Sequence, residues 1–327
     1  MPTRNDSLRA CPFCGSADRV PFGTRGDASF ERCVACRSIS MQITAEEFQA
    51  RHLGGWTDDE FLERNSVVLG TKPNVRVYRE IARHFAVGTP ILEIGPGTGH
   101  LLAAFRQAGH SVFGVETSSS HRRFIAATWS IDTVYDSLAQ IPAHSAFGGV
   151  VVINTIEHMF SPADFLRDLK PFVAPGGTIF ISTANARALS ATLYGTMWSM
   201  FKPIDHVSLP SAAGFRRLAE RCGYSVDRIW STEYPMETII SGVVAVRDFL
   251  RESRTAKPAA DAPKRSEAHD PDRGQSSAAR RLLQLSRRLA FMDPTSPLIS
   301  ALGRGGSIKA VYRVPESSSQ PHDCSHR

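Results

Sequence analysis

The chain has 327 residues, 42% of them hydrophobic and 21% charged, with a net charge of +6; this suits a folded protein of one large core plus a smaller module and excludes a disordered or fibrous chain. The positive surplus is local: up to Val246 there are 23 basic and 23 acidic residues, whereas Arg247–Arg288 carries 11 against 6, so most of the chain lacks the broad basic face of a nucleic-acid binder. The N-terminal MPTRNDSLRACPFC is not of signal-peptide type, and no run of about 18 apolar residues occurs, which predicts a cytoplasmic protein.

First in chain order come four cysteines. Cys11 and Cys14 stand in C-P-F-C-G, and after 18 intervening residues Cys33 and Cys36 follow in C-V-A-C. Each C-x2-C pair puts two thiolates on one tight turn, and two such turns closing on each other make the tetrahedral sulfur cage that zinc prefers. Gly15 suits the backbone turn. Two disulfides are the alternative, disfavoured in a reducing compartment. Four protein ligands leave the ion no open position, so this zinc holds a fold and does no chemistry. The module, residues 1–45, is too short to be stable without it; it can dock substrate, bind nucleic acid or pack on the main domain. Cys222 and Cys324 stand alone.

Next, Pro90 to Ile94 is short, apolar and bounded by glycines, as expected of a buried parallel strand. Gly95, Gly97 and Gly99 follow, and HLLAAFRQAG then reads as a helix ending at Gly109. Strand, glycine turn and helix present main-chain N–H groups and a helix N-terminus to a ligand at the strand's carboxyl end. A dinucleotide fingerprint counted from Gly95 needs glycine at position 100, which is His100. Further on, HSVFGVETSS is a second strand leading to Glu116, at the distance where a carboxylate accepts ribose hydroxyls. A third strand ends near Tyr135 and a fourth, GGVVVINTIEH, at Asn154; FLRDLKPFVAPGGTIFISTAN is a helix, a Pro-Gly-Gly turn and a fifth strand.

The E-x-G-x-G-x-G of Glu93 to Gly99 resembles motif I of the class I S-adenosylmethionine-dependent methyltransferases, and LKPFVAPGG is similar to the Pro-Gly-Gly turn of that family. The resemblance covers Ile91 to Gly223 and extends in general form to the cysteine module. It implies an α/β fold with a seven-stranded Rossmann-like sheet, to which the residues themselves add a small N-terminal zinc ribbon and a partly disordered helical insertion before the last strand. It implies S-adenosylmethionine as cofactor, with Glu93 at its methionine end, Gly95, Gly97 and Gly99 beneath it, Glu116 on the ribose, Ser137 and Leu138 at the adenine and Asn154 beside the reacting methyl. A zinc ion on Cys11, Cys14, Cys33 and Cys36 is the second bound group.

Two histidines are candidates for acid–base work. His158, in INTIEHMFSP, belongs to an E-H pair that similar methyltransferases carry, and it can equally orient the loop; Glu157 is ambiguous in the same way. His206, in KPIDHVSLPS, lies on a Pro-bounded stretch before a helix starting at Ser211, where loop residues commonly face substrate. It is assigned as general base or substrate hydrogen-bonding group, with Asp205 orienting it or capping a turn. Tyr194, Trp198 and Phe201 read as an acceptor-side wall or as core.

After that, YSVDRIWST is a sixth strand and SIKAVYRVP a seventh, antiparallel one. Between them Met236 to Leu250 is apolar and helical, Ser253 to Ser277 is expected to be disordered, and Arg280 to Phe291 is a basic amphipathic helix, either a lid or a contact for a membrane surface or acidic partner. The expected division is 1–45 zinc ribbon, 46–246 plus 306–315 methyltransferase domain, 247–305 insertion and 316–327 disordered tail.

The function so read is methyl transfer, most readily to oxygen, on a small-molecule, sugar or lipid-linked acceptor. Two alternatives stand beside it. One is an RNA methyltransferase that docks RNA through the ribbon, against which stand the charge balance and the absence of an N-P-P-Y-like motif at Asn154. The other is a non-catalytic zinc-ribbon binding protein with a cofactor-sensing domain.

Overall fold

The structure, a computed structural model, describes residues 10–53, 74–203, 205–234, 237–255 and 295–316. It contains two sheets. The first begins with β1 (Arg19–Arg25), β2 (Ala28–Cys33) and β3 (Ile39–Met41), an antiparallel meander beside the two cysteine turns. Its fourth strand comes from far along the chain: Ser208 and Leu209 pair antiparallel with Ser40 and Ile39. Both turns use one geometry. Gly15 N–H donates to Cys11 O and Arg37 N–H to Cys33 O, while the N–H groups of Cys11 and Cys33 donate to the carbonyls of Ser16 and Ser38. The residue after each second cysteine is left-handed, Gly15 at φ 77° and Arg37 at φ 66°.

After α1 (Ala45–Leu53) and α2 (Val75–Ile81) the larger sheet is laid down. Its elements are β4 (Ile91–Ile94), α3 (His100–Gln107), β5 (Val112–Val115), α4 (Ser119–Trp129), β6 (Val134–Tyr135), β7 (Phe147–Ile153), α5 (Pro162–Leu169), β8 (Val173–Ala184), α6 (Leu189–Tyr194), β9 (the Ser208–Leu209 strand), α7 (Ala212–Cys222), β10 (Ser225–Thr232), α8 (Glu237–Thr255), α9 (Thr295–Ala301) and β11 (Ser307–Arg313). The strand order is β10-β11-β8-β7-β4-β5-β6; the five strands from β8 across to β6 run parallel and β11 is antiparallel to both its neighbours. This is a seven-stranded mixed sheet in an α/β fold, the sheet that the resemblance implies.

Local chemistry explains the element ends. All of β4 and most of β7 and β8 are buried, which is why they read as unbroken apolar runs. Ser118, Ser161 and Ser211 cap α4, α5 and α7 by accepting from His121, Asp164 and Gly214 N–H, the usual remedy for a helix's orphan donors. The Pro175-Gly176-Gly177 turn lies inside β8, where the pairing with β7 jumps from Phe147↔Val173 to Gly149↔Thr178. The β10 and β11 ranges fall within the predicted stretches, and α8 runs into the segment 253–277 as far as Thr255. The amphipathic helix expected over 280–291, the rest of 253–277 and most of the tail lie outside the described residues. Among the described residues no helix is long and apolar enough to cross a membrane.

The two sheets share a core. Trp198 and Phe201, each 1% exposed, pack with Phe30, Ile39, Met41 and Leu209, so they are seam residues and do not wall an acceptor site. Helix α7 grips both cysteine turns. The Ser211 hydroxyl donates to Cys36 O, Ser211 N–H donates to Ser38 Oγ, and Arg221 donates to the carbonyls of Pro12 and Phe13. A Cβ on Gly214 would collide with Ser38 Oγ, which shows how closely the two parts approach.

Candidate active site

The chain lays β4, β5 and β6 to one side, then returns to place β7 and β8 on the other, so the order reverses between β4 and β7. Ligands of open α/β sheets bind in the crevice at such a reversal, outside the strands' carboxyl ends. A cavity of ≈ 350 Å³ lies there, lined by Glu93 on β4, Gly95 and Pro96 after it, Asn154 after β7, Ser182 on β8 and Lys309 on β11.

Gly95, Gly97 and Gly99 all have left-handed backbone, at φ 68°, 54° and 74°, a region costly for other residues. Their surroundings differ. A Cβ on Gly95 would stand 2.6 Å from Thr155 Oγ1 and one on Gly99 2.8 Å from the Ile125 side chain, whereas one on Gly97 would meet nothing within 4 Å. The outer two are required by packing, and the middle one presents bare main chain to open space. Asn154 is also left-handed, at φ 48°, uncommon outside glycine and frequent at functional turns.

Two carboxylates serve the same loop. Glu116 accepts from Gly97 N–H at 2.9 Å through Oε2 and from Ser118 N–H at 3.0 Å through Oε1, which aims it into the glycine turn. Glu93 is buried, and its Oε2 has no hydrogen-bond partner. Burial, with the nearby negative charge of Glu116, pushes its carboxyl up to about 8, so it is largely protonated at neutral pH until a cation arrives. Ser137 is exposed, Leu138 is half-buried against the core, and neither lines the cavity.

His158 and His206 meet each other, with ring centroids 4.8 Å apart. His158 Nδ1 is 3.0 Å from Asp205 O and His206 Nδ1 is 2.8 Å from Met200 O. A carbonyl can only accept, so each Nδ1 carries a proton and each Nε2 is left without that partner. Burial pushes His206 down to about 4, so it is neutral at physiological pH. Neither ring lines the cavity; both sit between the turn after β7 and the stretch leading into β9.

Three cavity residues escape sequence reasoning. Lys309, buried on β11, donates to Glu80 on α2, and Tyr234 lies after β10. A lysine amid the apolar residues of SIKAVYR was the available signal, because a buried charge demands a partner.

The four cysteine sulfurs lie within 4.8 Å of one another, with Cys11–Cys36 at 3.6 Å and Cys14–Cys33 at 3.5 Å, and none forms a disulfide. Four thiolates around one zinc at the usual bond length stand about 3.8 Å apart, so these residues can hold such an ion. The hydrogen bond from Cys11 holds the Cys36 thiol below its ordinary range, while that bond and burial raise Cys11.

Residues 71–229 match a methyltransferase-domain family. Over these residues, just under half of the chain, the protein is similar to methyltransferase domains. Over 178 residues, 50% of this chain and 53% of the other, the protein is 26% identical to a tRNA U34 carboxymethyltransferase of Klebsiella pneumoniae. It is 31% identical over 117 residues to the mitochondrial ubiquinone biosynthesis O-methyltransferase of Homo sapiens, 33% of this chain and 32% of that one. The chain thus spans about half the length, or less, of these curated relatives. A solved methyltransferase from Archaeoglobus fulgidus aligns over 73% of this chain and 92% of its own, at 16% identity and a TM-score of 0.46.

Proposed function

We propose that the protein transfers a methyl group from S-adenosylmethionine to an oxygen of a small-molecule, sugar or lipid-linked acceptor, and that Cys11, Cys14, Cys33 and Cys36 hold a structural zinc ion. The observation carrying the first half is the crevice between β4 and β7: a glycine with an open face, one carboxylate aimed into its loop, and a second, buried carboxylate whose Oε2 lacks a partner. Bound there, the cofactor supplies a methyl carbon activated by its sulfonium.

The chain's part is to bind and align. Gly95 to Gly99 let main-chain N–H groups approach without side chains, Glu93 gives a negative charge to a cationic amino acid end, Glu116 has lone pairs left for ribose hydroxyls, and Ser137 and Leu138 flank the adenine. Asn154, the residue after β7, would stand beside the reacting methyl. Displacement at a sulfonium needs alignment and exclusion of water more than acid–base work. His206 Nε2, whose ring burial keeps neutral, is the group to which an acceptor hydroxyl would donate, with His158 beside it. The even charge up to Val246 supports a small acceptor over RNA.

Calorimetry with S-adenosylmethionine and with its demethylated product tests the binding half: Glu93→Gln should weaken the cationic cofactor more than tenfold. Uptake of neither compound by the metal-loaded chain would overturn the proposal. A methyl-transfer assay on hydroxylated small molecules beside tRNA tests the acceptor, and transfer to tRNA alone would replace the small-acceptor reading.

A further inference from the structure

Beside the cofactor crevice lies a second cluster with the chemistry of a ligand set. Glu157, His158 and His206 each bring one ligand atom, and these atoms lie within 4.8 Å of one another. The two imidazoles come from different parts of the chain: His158 closes the short 3-10 turn after β7, and His206 stands just before β9.

Three features separate this cluster from an ordinary polar contact in a core. First, both rings are held from behind, each Nδ1–H donating to a main-chain carbonyl at 3.0 or 2.8 Å. That fixes the tautomer and leaves Nε2 as a ligand, the arrangement found behind metal-binding histidines. Second, neither Nε2 makes a hydrogen bond among the described residues, and Glu157, 1% exposed, has its Oε2 buried without a partner. A native fold rarely leaves such a carboxylate oxygen unmatched. Third, Asp205 Oδ1, also buried without a hydrogen bond, stands 3.9 Å from His206 Nε2, adding negative charge beside the cluster.

We propose that Glu157, His158 and His206 form a second metal site, which takes a divalent transition ion of the zinc class. Two neutral imidazoles and one carboxylate suit zinc, cobalt or iron(II), whereas magnesium prefers an all-oxygen shell with several waters. Three protein ligands leave a fourth position open. The ion would tie the turn after β7 to the entry of β9, and so to the seam where the cysteine module packs. Its binding does not rest on the methyl-transfer reading; with the ion in place an acceptor oxygen would join it as fourth ligand instead of hydrogen-bonding to the histidine Nε2 atoms.

Cobalt(II) added to the full metal-free chain separates the two sites, because thiolate ligation gives strong near-ultraviolet charge-transfer bands and a site of two imidazoles and a carboxylate does not. The expected result is two equivalents bound, one with thiolate bands and one with only weak visible bands. Glu157→Gln and the pair His158→Ala and His206→Ala should each lose at least tenfold in affinity for the second equivalent while keeping the thiolate bands, which shows that the module is still folded. The proposal is overturned by a single thiolate-type equivalent, by a second equivalent indifferent to all three substitutions, or by occupancy with magnesium but not zinc or cobalt. Cofactor binding, read separately by calorimetry, reports on the methyltransferase proposal whichever way the cobalt titration falls.

Discussion

The glycine turn after β4 and the cysteine turns beside β2 both depend on left-handed backbone, yet they impose different demands. In the cradle, Gly95 and Gly99 have side chains of other residues where a Cβ would go, and Gly97 has open space that a ligand must share. In the module, Gly15 is matched by Arg37, a residue with a full side chain at nearly the same φ. Glycine is therefore required in the cradle by what must come close, and in the module only by a modest backbone preference. The two regions also bury reactive groups for different ends: a carboxyl waiting for a cation in one, four thiols converging on a single point in the other.

The largest effect separating them should come from the thiols. Cys36→Ser should strip the module of its metal and, given zinc-binding free energies on the order of 10 kcal/mol in small zinc domains, abolish its fold; a zinc-release assay with thermal melting checks this, and an unchanged melt with no zinc released would refute the metal. Next, Gly97→Ala should cost about 1–2 kcal/mol through left-handed strain and weaken the demethylated cofactor roughly tenfold or more, about 1.4 kcal/mol per decade, because the new methyl fills the cradle. Gly95→Ala should cost more in stability than Gly97→Ala, since its Cβ must also displace Thr155. Paired denaturation curves and calorimetry rank the two, and the reverse order would break the comparison.

Glu93 sharpens it through pH. Its folded value, about 8, lies above the ordinary carboxylate range, so between that range and about 8 the folded chain holds a proton that the unfolded chain has released. The native state is thus favoured at low pH, and this contribution is lost as pH rises through about 8. At pH 7, uptake of a cationic cofactor should expel that proton, seen as a binding heat that varies with buffer ionisation enthalpy. Glu93→Gln should remove the dependence. The smallest effect belongs to the second cysteine turn. Arg37→Gly relieves left-handed strain but adds unfolded-state freedom, so it should shift stability by less than about 1 kcal/mol, measurable by denaturant titration.

How far the sequence led follows from which forces are local. Strands β4, β7 and β8 were legible because burial on both faces writes an unbroken apolar run, and α7 because Ser211 and Gly223 mark its ends. The glycine turn and its two carboxylates were legible because strand, turn and helix are contiguous. What escaped depends on distant pairing. Two residues, Ser208 and Leu209, carry no strand signal until β3 lies beside them, and Trp198 and Phe201 read equally as wall or core until that seam closes. Lys309 reaches the cavity and Glu80 only because β11 inserts between β8 and β10. The meeting of His158 with His206 was likewise invisible, since nothing in either neighbourhood names the other.

The strand β9 has an evolutionary consequence. Its hydrogen bonds belong to the cysteine sheet while its covalent neighbours belong to the methyltransferase domain, so no single cut through the chain yields two finished pieces. Recombination that discarded the N-terminal part would expose the Trp198 and Phe201 side chains to water and leave an open edge ready to pair with another molecule. Losing either part would therefore leave the other unfinished.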